Sequence, residues 1–269
     1  MSLSVVVMTL NAEKHLEKCL ENVEEPVLVV DSSSTDGTVA LAKRLGAEVK
    51  VITNFNHGAS REEARKGLKS DIVVFLSQDA YPEKGAIAKL VAPIQEGKAA
   101  VSYGRHLPRQ TATELEKFTR AFNYPETSQI RRWEEREKWG AYTIFCSNTF
   151  AAYRQEALDR VGGFPSTSFG EDTQVTAKLL QQGEAIAYVA EARVEHSHNL
   201  TLKETFFRAI AIGKSRSNLL TISSDLNRGR KYFNTLFRHL VTVSPRQIPV
   251  AVCQICTQGV GYFIGQIIS

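Results

Sequence analysis

Cysteine is scarce in this chain, with four in 269 residues. Usage that sparse excludes the disulfide framework of small secreted domains. Cys253-x-x-Cys256 has no second pair or nearby histidine to complete a zinc site, and its apolar setting predicts two buried core thiols. No G-x-G-x-x-G follows the first apolar run, which argues against a dinucleotide-binding Rossmann unit. No G-x-x-x-x-G-K-[ST] is present, so a P-loop is excluded. The apolar run Ser4 to Leu10 is short and lacks a basic start, so it does not read as a secretory signal, and a reducing, cytoplasmic location is expected. The formal net charge of +4 is too mild to make nucleic acid the main partner, but it suits anionic ligands or a membrane surface.

Present instead is a regular alternation. The runs Leu3–Met8, Pro26–Val30, Val49–Ile52, Ile72–Leu76 and Ala99–Tyr103 have the length and composition of buried strands. Between them, Ala12–Val23, Thr38–Leu45, Ala59–Lys69 and Gly85–Ile94 read as helices. This order predicts an α/β protein with a mostly parallel central sheet flanked by helices on both faces. The alternation breaks at Arg105. Residues 105–139 are polar and read as helix plus loop, suited to an acceptor surface. Tyr142–Tyr153 is strand-like, Gln155–Arg160 a short helix, 164–170 a loop and Asp172–Gln182 a helix. Ile186–Val189 and Ala192–Val194 read as two strand pieces.

From about Leu200 the chain reads as helical. Lys214, Arg216, Arg228, Arg230, Lys231, Arg238 and Arg246 face a single acid, Asp225, and Gln247–Ser269 carries no charge at all. Pro249 and the glutamines Gln254, Gln258 and Gln266 make that last stretch a poor membrane span. Two placements follow from the pattern. The helix lies on an anionic membrane face, or it docks on the domain or on a second subunit, as in a homo-oligomer.

Candidate chemistry gathers at the predicted strand ends, where ligands collect in open α/β sheets. Thr9-Leu10-Asn11 follows the first strand. Asp31-Ser-Ser-Ser-Thr-Asp-Gly-Thr38 follows the second, and its hydroxyls and carboxylates (Asp31, Ser33, Ser34, Asp36) can bond a base and ribose. Part of this run can also cap a helix. Gly58 to Arg61 opens a helix in a way that suits phosphate. Ser77-Gln78-Asp79 follows the fourth strand, and Asp79 either holds a divalent cation against a diphosphate or caps the next helix. Glu171-Asp172 sits just before a helix, where the dipole keeps a carboxylate ionised for proton abstraction; an ordinary N-cap is the alternative. In His196-Ser197-His198 alternation puts both imidazoles on one face, as metal ligands or as a surface or core pair.

Taken as a set and in this order, Thr9-x-Asn11, Asp31 to Thr38, Gly58 to Arg61, Ser77-Gln-Asp79 and Gly170-Glu-Asp172 resemble family 2 glycosyltransferases of GT-A fold, over roughly residues 3–215. Ser-Gln-Asp-Ala80, Arg105-His-Leu-Pro108, Phe122-Asn-Tyr-Pro125 and His196-Ser-His198 are most similar to bacterial rhamnosyltransferases. The resemblance implies an inverting, metal-dependent transferase using Mg²⁺ or Mn²⁺. It moves a sugar from a nucleotide diphosphate donor, dTDP-rhamnose before a UDP-sugar, to a hydroxyl of a glycan or lipid-linked acceptor in cell-surface polysaccharide synthesis. Asp172, with Glu171, takes the catalytic-base place. Asp79 and His198 take the metal. Thr9, Asn11, Asp31, Ser33, Ser34, Asp36, Arg61 and Gln78 take the nucleotide-sugar. Residues 1–104 then form the nucleotide-sugar half of one GT-A domain, 105–212 its acceptor and base half, and 213–269 a helical C-terminal extension.

Three departures stand out. Ser77 and Gln78 thin the usual aspartate pair at the metal corner. Ser32 and Ser33 stand where Asp-Gly is common. The Q-x-x-R-W motif of processive synthases is missing from its place, since Arg131-Arg132-Trp133 precedes the Glu-Asp pair, and single-sugar addition follows. Two rivals differ in class. A sugar nucleotidyltransferase would want a glycine-rich basic turn after the first strand, which Thr9–Lys14 lacks. A catalytically silent nucleotide-sugar-binding protein has only the thinned metal corner in its favour.

Overall fold

The structure is a computed structural model that describes residues 1–198, 200–217 and 222–268, with backbone alone over 222–228. In chain order the elements are β1 (Leu3–Thr9), α1 (Leu16–Leu20), β2 (Val27–Asp31), α2 (Thr38–Arg44), β3 (Glu48–Val51), α3 (His57–Lys66), β4 (Ile72–Ser77), β5 (Tyr81–Pro82), α4 (Ala86–Gln95) and β6 (Val101–Leu107). They continue with α5 (Glu114–Asn123), β7 (Gln129–Arg131), α6 (Arg136–Trp139), β8 (Phe150–Arg154), α7 (Gln155–Arg160), α8 (Glu171–Gln181), β9 (Ile186–Glu195), α9 (Leu202–Arg216), α10 (Ile222–Val243) and α11 (Ile248–Ile267).

Period-two alternation decides how the strands bury. Val5 and Val7 of β1 pack with Leu16, Leu41, Leu90 and Ile94 on one face of the sheet. Val6, between them, packs with Phe75, Phe164, Val175 and Leu179 on the other. Both faces are therefore covered, and β1 reads as an unbroken apolar run rather than an alternating one.

Among the described residues nine strands form one sheet in the order β3-β2-β1-β4-β8-β6-β9-β5, with β7 added to β9. β3, β2, β1 and β4 are mutually parallel. β8 runs antiparallel to both β4 and β6, and β6 is parallel to β9. The parallel core is as expected; β8 makes the sheet mixed. Of the strand-like stretch Tyr142–Tyr153 only the end pairs, as part of β8, because residues 140–149 turn back to deliver a reversed strand. The two expected pieces after Ile186 are the single strand β9, accommodated by a register shift between Gly104 and Arg105 of β6.

This topology positions the site. Because β8 is reversed, its first residues sit beside the last residues of β4, with the Ser77 amide donating to Thr149 O at 3.0 Å. The C-terminal ends of β1, β2, β4, β6 and β9 and the start of β8 therefore share one sheet edge.

The C-terminal helices stand outside the sheet. α9 and α11 lie side by side in parallel, with backbones in near contact where Gly213 meets Tyr262 and Gly265, and Gly261 meets Phe206 and Ala209. Gln266 Nε2 donates to Gly213 O at 2.7 Å. α11 buries Ala251, Gly261 and Gly265 and leaves Val250, Val260, Phe263 and Ile267 exposed. Cys253 and Cys256 are exposed and free, which corrects the expectation of core thiols: the seam is only as wide as its small residues, so both cysteines face outward. The side chains of Asp225 and Arg228 lie outside the described residues.

Candidate active site

The edge is built from loops that hold one another. After β1 the Thr9 hydroxyl donates to Asp31 Oδ2 at 3.2 Å. Asp31 also accepts from the Ser34 amide, at 2.8 Å, and from its hydroxyl. Asn11 has φ 50°; its amide donates to Ser34 Oγ at 2.8 Å, and its Oδ1 accepts from the Thr35 amide at 3.0 Å. Asp36 accepts from the Thr38 and Glu13 amides. Ser33, at φ 59°, adopts the left-handed backbone that favours glycine, and its hydroxyl donates to Ile52 O at 2.8 Å.

Two nucleotide-site expectations are corrected here. Asp31 is 0 % exposed; its carboxylate shapes the loop from beneath and does not face the open edge. Gln78 spends both ends of its amide on Leu10, Oε1 accepting from the Leu10 N–H at 2.7 Å and Nε2 donating to its carbonyl at 3.1 Å. It ties the β1 and β4 loops together. Asn11, Ser33 and Asp36 remain exposed at the rim.

Asp79 does not cap α4, whose N-cap is Gly85. Its Oδ2 lies 3.5 Å from Nε2 of both His196 and His198. Ligand atoms of the three residues all fall within 4.8 Å of one another. His196 joins the expected pair, and β9 delivers both imidazoles from one strand end. Burial depresses His196. Burial, then the charge of His196, push His198 down to about 4. Burial alone would raise Asp79, but the hydrogen bond from His196 and the two imidazoles outweigh it and hold the carboxyl down at about 2. At neutral pH the cluster is one carboxylate and two neutral imidazoles, the protonation a metal needs. The donor set therefore fits a divalent cation. Arg109, which the sequence did not single out, braces it: NH2 donates to Asp79 O at 2.6 Å, and the Arg109 amide donates to Ser197 Oγ at 2.8 Å.

Asp172 is the second residue of α8, and Gly170 is the N-cap, so the plain N-cap reading fails for both acids. The partly buried Asp172 carboxylate accepts from the Thr173 amide at 2.7 Å and the Asn148 amide at 3.2 Å. Burial, then the adjacent Glu171 charge, push it up to about 6. That places its titration close to neutrality, where a general base works best. Glu171 has buried partners of its own. It pairs with Arg61 NH1 at 3.0 Å, with side chains only 8 % and 6 % exposed for Arg61 and Glu171, and accepts from Asn148 Nδ2 at 3.0 Å. This corrects two expectations. Glu171 is a buried partner rather than a second base, and Arg61 is neutralised inside the fold rather than free for phosphate, because α3 packs its N-terminal turn against the 165–167 loop.

The two carboxylates belong to one edge. Asp172 is held by Asn148, the neighbour of Thr149, whose carbonyl accepts from Ser77 two residues before Asp79. α9 spans the same gap: Arg208 lies over the Phe169 ring at 5.9 Å, and its charge also depresses His198. Gly170, at φ +76°, leaves no room for a Cβ beside Ser215 of α9.

The mixed sheet, with the Asp79–His196–His198 cluster and the Asp172 carboxylate on one edge, has the GT-A fold. Residues 4–162 match the family described as Glycosyl transferase family 2, and the chain belongs to that family. It is 33% identical to the O-antigen chain rhamnosyltransferase RfbN of Salmonella typhimurium, over 99% of this chain and 90% of that protein. It is likewise 33% identical to the O-antigen chain rhamnosyltransferase WbaN of Salmonella anatum, over 98% and 89%. The fold is shared with a mannosyltransferase from Pyrobaculum calidifontis solved with GDP-Man and Mn²⁺ (TM-score 0.66, 16% identity, 97% of this chain and 86% of that one). It is shared too with S. aureus TarS in complex with UDP-GlcNAc (TM-score 0.58, 17% identity, 99% and 89%). The chain is a family 2 transferase, and the nucleotidyltransferase and silent-protein rivals fall away.

Proposed function

We propose that the enzyme transfers rhamnose, with inversion, from dTDP-rhamnose to a hydroxyl of a lipid-linked glycan in the assembly of an O-antigen-type polysaccharide. The observation that carries the sugar is the near-full-length similarity to two O-antigen rhamnosyltransferases. In this reading Asp172 takes the proton from the acceptor hydroxyl. The oxygen attacks the anomeric carbon as the bond to the diphosphate breaks, and the nucleoside diphosphate departs from the opposite side. A divalent cation held by Asp79, His196 and His198 supplies charge compensation for the departing diphosphate. Asn11, Ser34 and Asp36 frame the nucleoside at the β1–β2 end of the edge, and the buried Thr9 supports them from beneath through Asp31. Two imidazoles in three ligands favour Mn²⁺ over the harder, oxygen-seeking Mg²⁺. A thermal-shift panel of sugar nucleotides tests the donor, since a ligand of the folded state alone raises its melting point. dTDP-rhamnose with Mn²⁺ should give the largest shift; a larger one from a UDP- or GDP-sugar would overturn the donor assignment.

We place the enzyme in the cytoplasm, at the inner face of the cell membrane. Pro245–Ile267 is long and apolar enough to cross a membrane, but along its length it packs on α9, which carries Lys203, Glu204, Arg208, Lys214 and Arg216. Charges at that spacing favour lying on the bilayer over crossing it. Val260, Phe263 and Ile267 of α11 are exposed, as are Arg230, Lys231, Arg238 and Arg246 of the preceding segment, a combination that suits an anionic lipid surface. Wild-type chain should sediment with phosphatidylglycerol vesicles, and Phe263→Asp with Ile267→Asp should leave it in the supernatant. Undiminished sedimentation of the double variant would refute this face.

A further inference from the structure

The carboxylate read above as the base sits in a closed set of contacts that the transfer reaction itself does not require. Asn148 is almost fully buried and is shared three ways. Its main-chain N–H holds Asp172, its Nδ2 donates to Glu171 Oε1, and its Oδ1 accepts from the Tyr153 hydroxyl at 2.8 Å. The same Glu171 oxygen receives Arg61 NH1, which also donates to His57 O at 3.0 Å. One of two adjacent carboxylates thus holds a buried cation, whose charge also acts on the other, and that cation is fixed from α3.

We propose that Arg61 and Asn148 are positioning residues of the transferase: they clamp Glu171 inward, and so keep Asp172 turned to the cleft and ionisable. The proposal rests on Asp172 being the base. Every element around it contributes to the balance. α8 brings Glu171. α3 brings Arg61 and His57, whose imidazole is depressed by burial. The β8 segment brings Cys146 and Tyr153, both raised by burial and therefore uncharged at neutral pH. α9 brings Arg208 over Phe169. Arg61 is in direct contact with Glu171, and its charge also lowers Asp172. Without it, Glu171 is left as a buried like charge beside Asp172, which disfavours ionisation of both.

The test is the pH profile of dTDP release from dTDP-rhamnose and Mn²⁺, with water as the acceptor. Arg61→Gln should move the acid limb of kcat/KM upward by about one pH unit or more. Arg61→Lys, which keeps the charge, should return the limb most of the way. Asn148→Asp, nearly isosteric, places a carboxylate against Glu171 and should move the limb the same way even if Arg61→Gln proves too unstable to assay. The donor-induced thermal shift should stay within a factor of two of wild type in all three. Slower turnover with the limb at its wild-type position, in Asn148→Asp and in whichever Arg61 variants fold, would mean a merely structural role and overturn the proposal. Asp172→Asn is the control: if it turns over like wild type, the base assignment has failed, and not the clamp alone.

Discussion

Asp172→Asn should lower transfer by ~10²–10⁴-fold, the usual worth of a positioned general base, while leaving the donor-induced thermal shift in place. The Asn148 amide donates to one oxygen of Asp172 and the Thr173 amide to the other, so the asparagine keeps one of the two bonds in a side chain of the same shape. Stability separates lost chemistry from lost fold. A carboxyl raised to about 6 binds a proton more tightly in the folded chain than in the unfolded one. Its ionisation therefore costs stability as pH rises above the unfolded value, with the full cost reached above about 6. A neutral amide escapes that cost, which offsets the lost hydrogen bond, so the variant should compare more favourably with wild type in melting point at pH 8 than at pH 5. The same shift sets the wild-type profile. Below about pH 6 the base is progressively protonated and the rate should fall about tenfold per unit. Wild-type turnover in the variant would remove Asp172 from the chemistry.

Asp79→Ala should remove the metal-dependent part of donor affinity. Asp79 is the one anion in its cluster, and the imidazoles that remain are neutral at pH 7. Loss of an outer-shell partner alone costs roughly 10–100-fold in metal affinity, and loss of the charged ligand should cost at least that. Calorimetry should give similar donor affinities with and without Mn²⁺ for the variant, against a clear Mn²⁺ dependence in wild type. His196→Ala and His198→Ala should each fall between the two. A variant that still gains affinity from Mn²⁺ to the wild-type extent would place the cation elsewhere.

How far the sequence foretold this edge differs residue by residue. Length and apolar composition were enough for β1, β2 and β4, because strands buried on both faces must be continuously apolar. Asp79 and Asp172 stood out because each follows or opens an element at the edge where ligands gather, and the fold brings both to that edge. The reversal of β8 was not, since a strand's periodicity carries its faces and not its partners. That reversal is what brings Asn148 to Asp172. Nothing local marks Asn148, an asparagine in a turn two residues before a strand. Arg61 and Glu171 were misread for a related reason: charge in a sequence says nothing about whether its partner waits across the fold, and here each is the other's partner. Asp31 looked like a ligand because it is polar at a strand end, yet it is consumed by Thr9 and Ser34. Cys253 and Cys256 looked buried because their surroundings are apolar, but α11 meets α9 through glycine, and its wider apolar surface stays outside.

The most direct measurement is a crystal structure of the Asp172→Asn variant with dTDP-rhamnose and Mn²⁺. The cation should sit among Asp79, His196 and His198 and touch the diphosphate, with the anomeric carbon open towards position 172 on the side away from the leaving oxygen. A donor bound with its diphosphate away from Asp79, or with its sugar turned from position 172, would contradict the shared cleft.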